Sequence, residues 1–599
     1  MIHAPLAYVG PGAGFAFLGS FLSLLLSLAA SFVSLLLWPF RMLWGMLRRS
    51  RGMRAASVRK VIFLGLDGLD AEFTEKLMAE GKLPNLARLK GQGSYRRLRT
   101  TFPAMSPVAW STFATGVNPA KSQRGSEPFW NILGRNAVES TILRVPSTFP
   151  RDGFNGRLLS AAATQGGFSL FTKRAGDASF EGGDRYPLIE ADGDLAGELR
   201  GPADSILFWI RDPEGDPALD IQGGSYPLKP RQYTPWIRLK FGAANGIVRF
   251  LATKTGQDFS LYATPVQIDP ENPSVPISQP RYYSVYLAKL LGSFSTLGMA
   301  EDTVALNEGA IDEDDFLAQA KLIQAEREAM FFSALEHQRS GVVACVFDTP
   351  DRVQHMFYRY LDPAQAATKY AGVIERMYCD MDRLAGKTLE RVGPDTAVLV
   401  LSDHGFCAFR RGVNLNTWLL RNGYLALQGG EIDWRRTRAY AVGLAGLNLN
   451  VRGREAQGVV DLKETLSLTN ELTWRLAGLR DEDSGEIAIR NVYASEAISP
   501  APDLIVGYAR GYRASWDAAL GKVSPRVFED NVKAWSGDHC VDPSLVPGVL
   551  FSNRRLNAED PGIEDMAPTA LRLFGIQPPE WMEGKPVICG ADSQSEADC

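Results

Sequence analysis

The sequence predicts an α/β protein with a doubly wound, mostly parallel sheet. Continuous apolar runs such as 60–66 lack the alternation of a half-exposed strand, so they fit strands that are buried on both faces. Long helical patterns lie between these runs, as in a doubly wound sheet. Strands are expected at 60–66, 341–347, 396–401 and 546–551, and helices from residue 71 and over 312–337 and 364–389.

Residues 1–58 predict a membrane anchor followed by a basic linker. From Phe15 to Trp38 there are 24 residues without a charge, enough for a helix that spans a bilayer with some tilt. A cleaved signal peptide is the alternative, but its apolar core is about 7–15 residues long and follows positive charge. No Lys or Arg precedes this run. We therefore expect a single-pass membrane protein.

Charge after the span predicts its orientation. Basic residues follow the span at Arg41, Arg48, Arg49, Arg51, Arg54, Arg59 and Lys60. Since positive flanks stay on the cytoplasmic side, the bulk of the chain after the span is expected in the cytoplasm, next to the membrane. The six cysteines are scattered without a CxxC pair, which agrees with a reducing compartment.

The span itself has a serine face. Its serines recur at steps of three or four residues, at Ser20, Ser23, Ser27, Ser31 and Ser34. Small residues along one helix face allow close helix packing, so a homodimer is one interpretation. Serines that are merely tolerated in a leucine-rich span are the other.

The rest of the chain divides by composition. At 599 residues it exceeds a single core. Residues 59–151 and 276–587 have the α/β pattern of a catalytic domain, whereas 152–275 are rich in Gly, Pro and aromatic residues and predict a β-rich insert or cap. Residues 588–599 form a polar tail. The net charge of −4 argues against a nucleic-acid partner.

Two motifs lie in the first part of the catalytic domain. Asp67-Gly follows the first strand, at the edge where open α/β sheets bind ligands, although a turn is the commoner reason for such a pair. Ser106 precedes Pro107 at a predicted helix start, which favours a helix N-cap. The positive end of a helix dipole also suits a phosphoryl group, so the same serine could serve both roles.

Three further motifs combine carboxylates with imidazoles. Asp351 and His355 are four residues apart and would face the same way on a helical turn. Asp403 and His404 follow another buried strand, and His539 precedes the last one. Each alone fits a surface pair or a turn, but together they place three of the five histidines near strand ends. Carboxylate and imidazole suit an ion such as Zn²⁺ or Mn²⁺.

With these motifs, residues 59–150 and 275–587 resemble the alkaline phosphatase superfamily, in its type I phosphodiesterase and nucleotide pyrophosphatase branch. That branch has an Asp after the first strand, a Thr or Ser nucleophile upstream of Thr-Gly, an Asp-x-x-x-His pair, a Ser-Asp-His-Gly motif and a late His. The matching residues are Asp67, Ser106 with Thr115-Gly116, Asp351 with His355, Asp403 with His404, and His539.

The resemblance implies a phosphoester hydrolase with a phosphoseryl intermediate on Ser106. It implies two divalent ions, with zinc expected and manganese as the alternative. Asp351, His355 and His539 would bind one ion. Asp67, Asp403 and His404 would bind the other, which Ser106 Oγ faces. The substrate would be a small phosphoester or a lipid head group.

The sequence also departs from the family pattern. Nucleotide pyrophosphatases have an Asn shortly after the nucleophile that assists a phosphate oxygen, whereas this chain has Ala109. A sulfatase would need a C/S-x-P-x-R setting that Ser106-Pro-Val-Ala-Trp110 lacks. A phosphotransferase of lipid head groups and a noncatalytic binding protein on the same fold stay open as alternatives.

The predicted topology can be tested with protease added to intact spheroplasts. Because positive charge follows the span, the catalytic domain should survive digestion until the membrane is permeabilised. Digestion of the domain while a cytoplasmic marker stays intact would reverse the orientation.

Overall fold

The computed structural model describes residues 56–117, 126–149, 153–160, 167–173, 180–495 and 501–588. The predicted span, its serine face, the basic residues before Arg59 and most of the polar tail lie outside these ranges. Within them, no helix has both the length and the apolar character that a membrane crossing requires.

The strands are numbered along the chain. The first four are β1 Lys60–Leu66, β2 Ser94–Leu98, β3 Ser140–Leu143 and β4 Arg157–Leu159. The next are β5 Phe168–Thr172, β6 Gly183–Pro187, β7 Ile189–Ala191, β8 Asp194–Arg200, β9 Ser205–Arg211, β10 Ala218–Ile221, β11 Gly224–Pro227, β12 Ile237–Phe241, β13 Ala244–Val248, β14 Phe250–Lys254, β15 Ser260–Ala263 and β16 Gln267–Ile268. The last are β17 Ser278–Gln279, β18 Gly341–Phe347, β19 Thr396–Leu401, β20 Cys407–Val413, β21 Leu427–Gln428, β22 Glu431–Ile432, β23 Ala439–Val442, β24 Gly446–Leu449, β25 Ile489–Ala494, β26 Leu504–Tyr508, β27 Gly511–Ala514, β28 Phe528–Asp530, β29 Gly537–Asp538 and β30 Gly548–Ser552.

The α-helices are numbered in the same way. They are α1 Ala71–Ala79, α2 Pro84–Gln92, α3 Ser106–Thr115, α4 Phe129–Arg135, α5 Tyr283–Leu291, α6 Thr303–Asn307, α7 Glu313–His337, α8 Thr349–Phe357, α9 Val373–Glu390, α10 Leu415–Arg421, α11 Thr465–Leu476, α12 Trp516–Ala519 and α13 Met566–Leu573.

An eight-stranded sheet forms the centre of the catalytic domain, in the order β17-β4-β3-β18-β1-β19-β30-β2. The five adjoining strands from β4 to β19 run parallel, and antiparallel pairs lie at the two sides. The predicted α/β class with a mostly parallel sheet is therefore confirmed. The strand expected at 546–551 is β30, and it runs antiparallel to β19.

Helices cover both faces of this sheet. Alternate residues of β1 point to opposite faces, so Ile62 and Leu64 join one apolar core while Val61 and Phe63 join the other. Every residue of β1 is buried, which explains why its sequence shows no polar alternation. Helices α7 to α9 cover the first face, and α3, α4 and α13 cover the second.

Two predicted helix boundaries have different outcomes. Helix α7 begins one residue after Asp312, in agreement with the helix predicted over 312–337. The Asp312 side chain caps it in a reciprocal pair with Asp315. The helix expected over 364–389 begins only at Val373. Asp362 caps a short 3-10 turn at Pro363–Gln365, which interrupts the helical path before α9.

Strands β5 to β16 form three separate sheets with an apolar core of their own. A second β-containing unit lies between β19 and β30, with its own core of residues from β20 to β28 and α10 to α11. The sequence patterns did not distinguish this second unit from the catalytic domain. Cys345, Cys379, Cys407 and Cys540 are free thiols.

Candidate active site

The predicted site residues converge at the carboxyl edge of the parallel strands. Asp67 follows β1, Asp403 and His404 follow β19, and the helix α8 that follows β18 contributes Asp351 and His355. Parallel strands end at the same edge, so short connections bring these side chains together. All seven predicted residues are buried, and they are Asp67, Ser106, Asp351, His355, Asp403, His404 and His539.

Ser106 is the first residue of α3, and its side chain faces this group. Its Oγ lies 3.3 Å from Asp67 Oδ1 and 3.0 Å from His404 Nε2. The prediction that Ser106 is the N-cap is wrong, because the extended residue Met105 occupies that position and no side chain caps the helix. The hydroxyl points into the site instead of bonding to the first turn.

The first ligand group has the composition that the resemblance implied. The ligand atoms of Asp67, Asp403 and His404 lie within 4.8 Å of one another. His404 Nε2 is 3.6 Å from Asp67 Oδ1 and 3.3 Å from Asp403 Oδ2. The Gly68 amide donates to the other oxygen of Asp403, at 3.4 Å. This group could bind one cation beside Ser106.

The second group differs in part from the implied set. Asp351 contacts His355 Nε2 at 3.3 Å and His539 Nε2 at 3.5 Å, one through each carboxylate oxygen. The compact group, however, consists of Asp351, His404 and His539. The rings of His404 and His539 are stacked with their centroids 3.6 Å apart. His404 therefore lies between the two groups, and His355 contacts the second group through Asp351.

Backbone carbonyls orient the three imidazoles. His355 Nδ1 is 2.8 Å from the Gly537 carbonyl, His539 Nδ1 is 2.7 Å from that of Ala104, and His404 Nδ1 is 3.1 Å from that of Gly405. A ring whose Nδ1–H donates to a carbonyl keeps its Nε2 lone pair free. All three Nε2 atoms consequently face carboxylates as acceptors or metal ligands.

The carboxylates lack the partners that buried charges normally have. Asp351 Oδ1 and Asp403 Oδ2 are buried and accept no hydrogen bond from the described part of the chain. Burial and Asp351 raise the pKa of Asp403 to about 8, and burial with Asp403 and Asp351 raises the pKa of Asp67. Burial also opposes ionisation of Asp351, but His355 and Arg352 lower the pKa of that carboxyl. Such a group fits divalent cations, which compensate buried carboxylate charge.

The imidazoles suit the same role. Burial lowers the pKa of both His404 and His539, and His355 adds to this effect at both rings while Asp351 opposes it. His539 lowers the pKa of His404 further. Neutral rings are the form that binds metal. The described residues thus offer ionisable oxygens together with neutral nitrogen ligands.

Trp110 is a site residue whose role the sequence did not reveal. Its Nε1–H donates to Asp67 Oδ2 at 2.9 Å, four residues along α3 from Ser106. Its ring packs over Gly65 of β1, where an added Cβ would lie 2.5 Å from the ring. The Gly in the apolar strand and the buried Trp were visible in the sequence, but nothing there paired them.

A second supporting group surrounds His539. Arg513 Nη1 donates to Asp538 Oδ2 at 2.6 Å, and Trp535 Nε1 donates to the same oxygen at 2.8 Å. The Trp535 ring lies over His355 with a centroid separation of 3.8 Å. Asp538 directly precedes His539, and its carboxylate connects Arg513 and Trp535 to this part of the site.

A cavity of about 700 Å³ is lined by none of the seven predicted site residues. It is between β5, β14 and β15 on one side and the start of α7 on the other. Ala534 and Arg359 border it. Ala534 adjoins Trp535, so the cavity approaches the site from the side of His355.

The model of the type I phosphodiesterase / nucleotide pyrophosphatase family matches residues 61–123 and 251–514, more than half of the chain. The chain belongs to this family. The matched ranges contain every predicted site residue except His539. The resemblance that the motifs indicated is therefore confirmed, and the protein is a hydrolase of the phosphodiesterase and nucleotide pyrophosphatase kind. The family depends on divalent metal, in agreement with the residue groups described above.

Other comparisons add little. A solved structure, the human ectonucleotide pyrophosphatase / phosphodiesterase 5, matches with 10% sequence identity over 88% of this chain and 97% of that one, at a TM-score of 0.40. No curated protein gives a significant match.

The Trp110 hydrogen bond can be tested by paired substitutions. Trp110→Phe should lower the melting temperature of the metal-free protein more than Trp130→Phe, because it leaves a buried carboxylate without its donor, at a cost of about 1–3 kcal/mol. Trp130 is the matched control, since it is also buried and its Nε1 has no partner among the described residues. Equal losses would show that the Trp110 N–H contributes nothing.

The raised pKa of Asp403 predicts how metal binding depends on pH. Below about pH 8 this carboxyl holds a proton that a cation must displace, so affinity should rise with pH up to that value and then level off. Equilibrium dialysis with Mn²⁺ at pH values from about 6 to 9 measures this metal affinity. An affinity independent of pH over this range would contradict the prediction.

Proposed function

We propose that the protein hydrolyses phosphodiesters or pyrophosphates by nucleophilic attack of Ser106, with two divalent ions and a phosphoseryl intermediate. The observation that supports this most directly is the Ser106 hydroxyl at the start of a helix and within 3.3 Å of both Asp67 and His404. A hydroxyl confined among metal-ligand side chains is the arrangement that an activated serine needs.

The residues divide into ligands and nucleophile. Asp67, Asp403 and His404 would hold the ion beside Ser106, and Asp351, His355 and His539 would hold the other, with His404 within reach of both groups. Zinc is the preferred metal and manganese the alternative, since both accept oxygen and imidazole ligands. When bound, the ions supply Lewis-acid stabilisation of the phosphoryl oxygens and favour the ionised serine.

The chain itself prepares the nucleophile. In the metal-free state the single hydroxyl proton of Ser106 has two acceptors within reach, Asp67 Oδ1 at 3.3 Å and His404 Nε2 at 3.0 Å. Attack by Oγ forms the bond to phosphorus while the bond to the leaving oxygen breaks, and the proton that Ser106 loses balances the one that the leaving oxygen gains. Water then cleaves the Oγ–phosphorus bond, with its hydroxyl bonding to phosphorus and its proton restoring the serine. The positive end of the α3 dipole lies beside the phosphoryl group throughout.

The substrate belongs to the small phosphoesters, and a lipid head group is included in this proposal because of the predicted membrane anchor. Residues 152–275 are proposed as the cap that selects it. Their cavity of about 700 Å³ lies on the Trp535 side of the site and supports this placement. A cytoplasmic, membrane-anchored enzyme and a dimer through the serine face remain part of the proposal.

The nucleophile is tested with Ser106→Ala in the full-length protein. We expect bound metal close to the wild-type content but a loss of several orders of magnitude in the rate of hydrolysis of an aryl phosphodiester. Ser111→Ala on the same helix is the matched control and should keep the wild-type rate. Chelator should abolish the wild-type activity, and added Zn²⁺ or Mn²⁺ should restore it.

Three outcomes would contradict the proposal. Ser106→Ala with near-normal turnover would leave the serine without a catalytic role. Full activity in metal-free protein would remove the ions from the mechanism. Transfer of the phosphoryl group to an added alcohol in preference to water would identify a phosphotransferase instead.

A further inference from the structure

We infer that Arg352 binds the phosphoryl group of the substrate. This inference rests on the proposed function. A phosphoryl group that gains negative charge during in-line displacement needs hydrogen-bond donors, and a guanidinium is well suited to phosphate oxygens.

Arg352 lies at the site because it follows Asp351 on α8. Its Nη1 donates to Asp351 Oδ2. Asp351 belongs to the second ligand group, so the guanidinium lies directly beside that group.

Most of the hydrogen-bonding capacity of Arg352 is unused. A guanidinium has five N–H donors, and the bond to Asp351 is the one that Arg352 makes with the described residues. Its Nε is buried and lacks an acceptor there. The side chain is 13% exposed, so it lies at the border between the interior and solvent. Unmatched donors in this place are able to accept an anionic oxygen from a ligand.

Three other buried arginines each make at least two side-chain hydrogen bonds, although Arg327 Nη2 and Arg513 Nη2 also lack an acceptor among the described residues. Arg144 donates to the carbonyls of Ser160, Thr296 and Leu297, Arg327 donates to Val346 O and Asp348, and Arg513 donates to Asp538 and Ala514 O. Each is therefore held in place by the fold at more than one point, whereas in the described part of the chain Arg352 is held only by Asp351.

A purely structural role for Arg352 is the competing explanation. The guanidinium could do no more than neutralise Asp351 and orient it toward a cation. The two roles predict different effects of substitution. Loss of a structural partner would weaken metal binding, whereas loss of a phosphate ligand would weaken phosphate binding and leave the metal in place.

The test compares Arg352→Met, Arg352→Lys and Arg383→Met in full-length, zinc-loaded protein. Arg383 is the control, since it bonds to Asp380 on α9 and borders neither the ligand groups nor the cavity. Bound metal per chain is measured first, and the dissociation constant of inorganic phosphate is then measured by titration calorimetry. The phosphate titration requires no turnover, so it separates this inference from the hydrolase proposal.

We expect Arg352→Met to keep the wild-type metal content and to weaken phosphate binding roughly 10- to 100-fold, as for a lost charge-assisted hydrogen bond. The phosphate affinity of Arg352→Lys should lie between those of Arg352→Met and the wild type, because lysine keeps the charge but not the planar pair of donors. Arg383→Met should bind phosphate as the wild type does. Should Arg352→Met fail to fold, the lysine variant decides by the same two measurements.

The inference is overturned if an Arg352 variant binds phosphate as tightly as the wild type, or if it loses metal in parallel with phosphate. Failure of the zinc-loaded wild type to bind phosphate overturns it as well. If the wild type binds phosphate in an Arg352-dependent way yet hydrolyses no phosphodiester, the hydrolase proposal fails while the assignment of Arg352 stands.

Discussion

The active site depends on three buried aspartates that the sheet brings close together and that have too few hydrogen-bond donors around them. Asp67 and Asp403 are at the ends of neighbouring strands, and Asp351 is in the first turn of the helix after the strand on the other side of β1. Carboxylates this close and this deeply buried disfavour one another's ionisation. The high pKa values of Asp67 and Asp403 express that cost. Bound divalent cations would offset this electrostatic cost, so the arrangement of the strands favours metal binding.

The three imidazoles are suited to bind these cations because backbone carbonyls hold each ring in one tautomer. The carbonyls that accept from His355, His404 and His539 belong to three separate segments, at Gly537, Gly405 and Ala104. Residue 104 lies just before α3, so the segment that orients His539 is also the one that introduces Ser106. The geometry of one ligand is consequently coupled to the position of the nucleophile.

The sequence could predict the sheet and most of the site because strand ends and ligand motifs coincide in it. Asp67 and Asp403 follow apolar runs that predict buried parallel strands, so both carboxylates were expected at the edge of the sheet where ligands bind. The spacing of Asp351 and His355 likewise placed both on one helical turn. The grouping of His404 with His539 depends on a ring stack between residues 135 positions apart, which no local pattern encodes. The second β unit was missed because its short strands pair over long separations, as β24 does with β26.

The contact between α3 and β1 shows how the core determines the position of the nucleophile. Gly65 has no side chain, and Trp110 fills the space that a Cβ would need. The helix can therefore approach the strand closely enough for the indole N–H to reach Asp67. Ser106 lies one turn before Trp110 on the same helix, so this approach also brings its hydroxyl to Asp67. A side chain at residue 65 would displace the ring, and with it both donors to Asp67. Gly65 lies in the apolar core, but it is required for the positions of the two side chains that donate to Asp67 at the end of the strand.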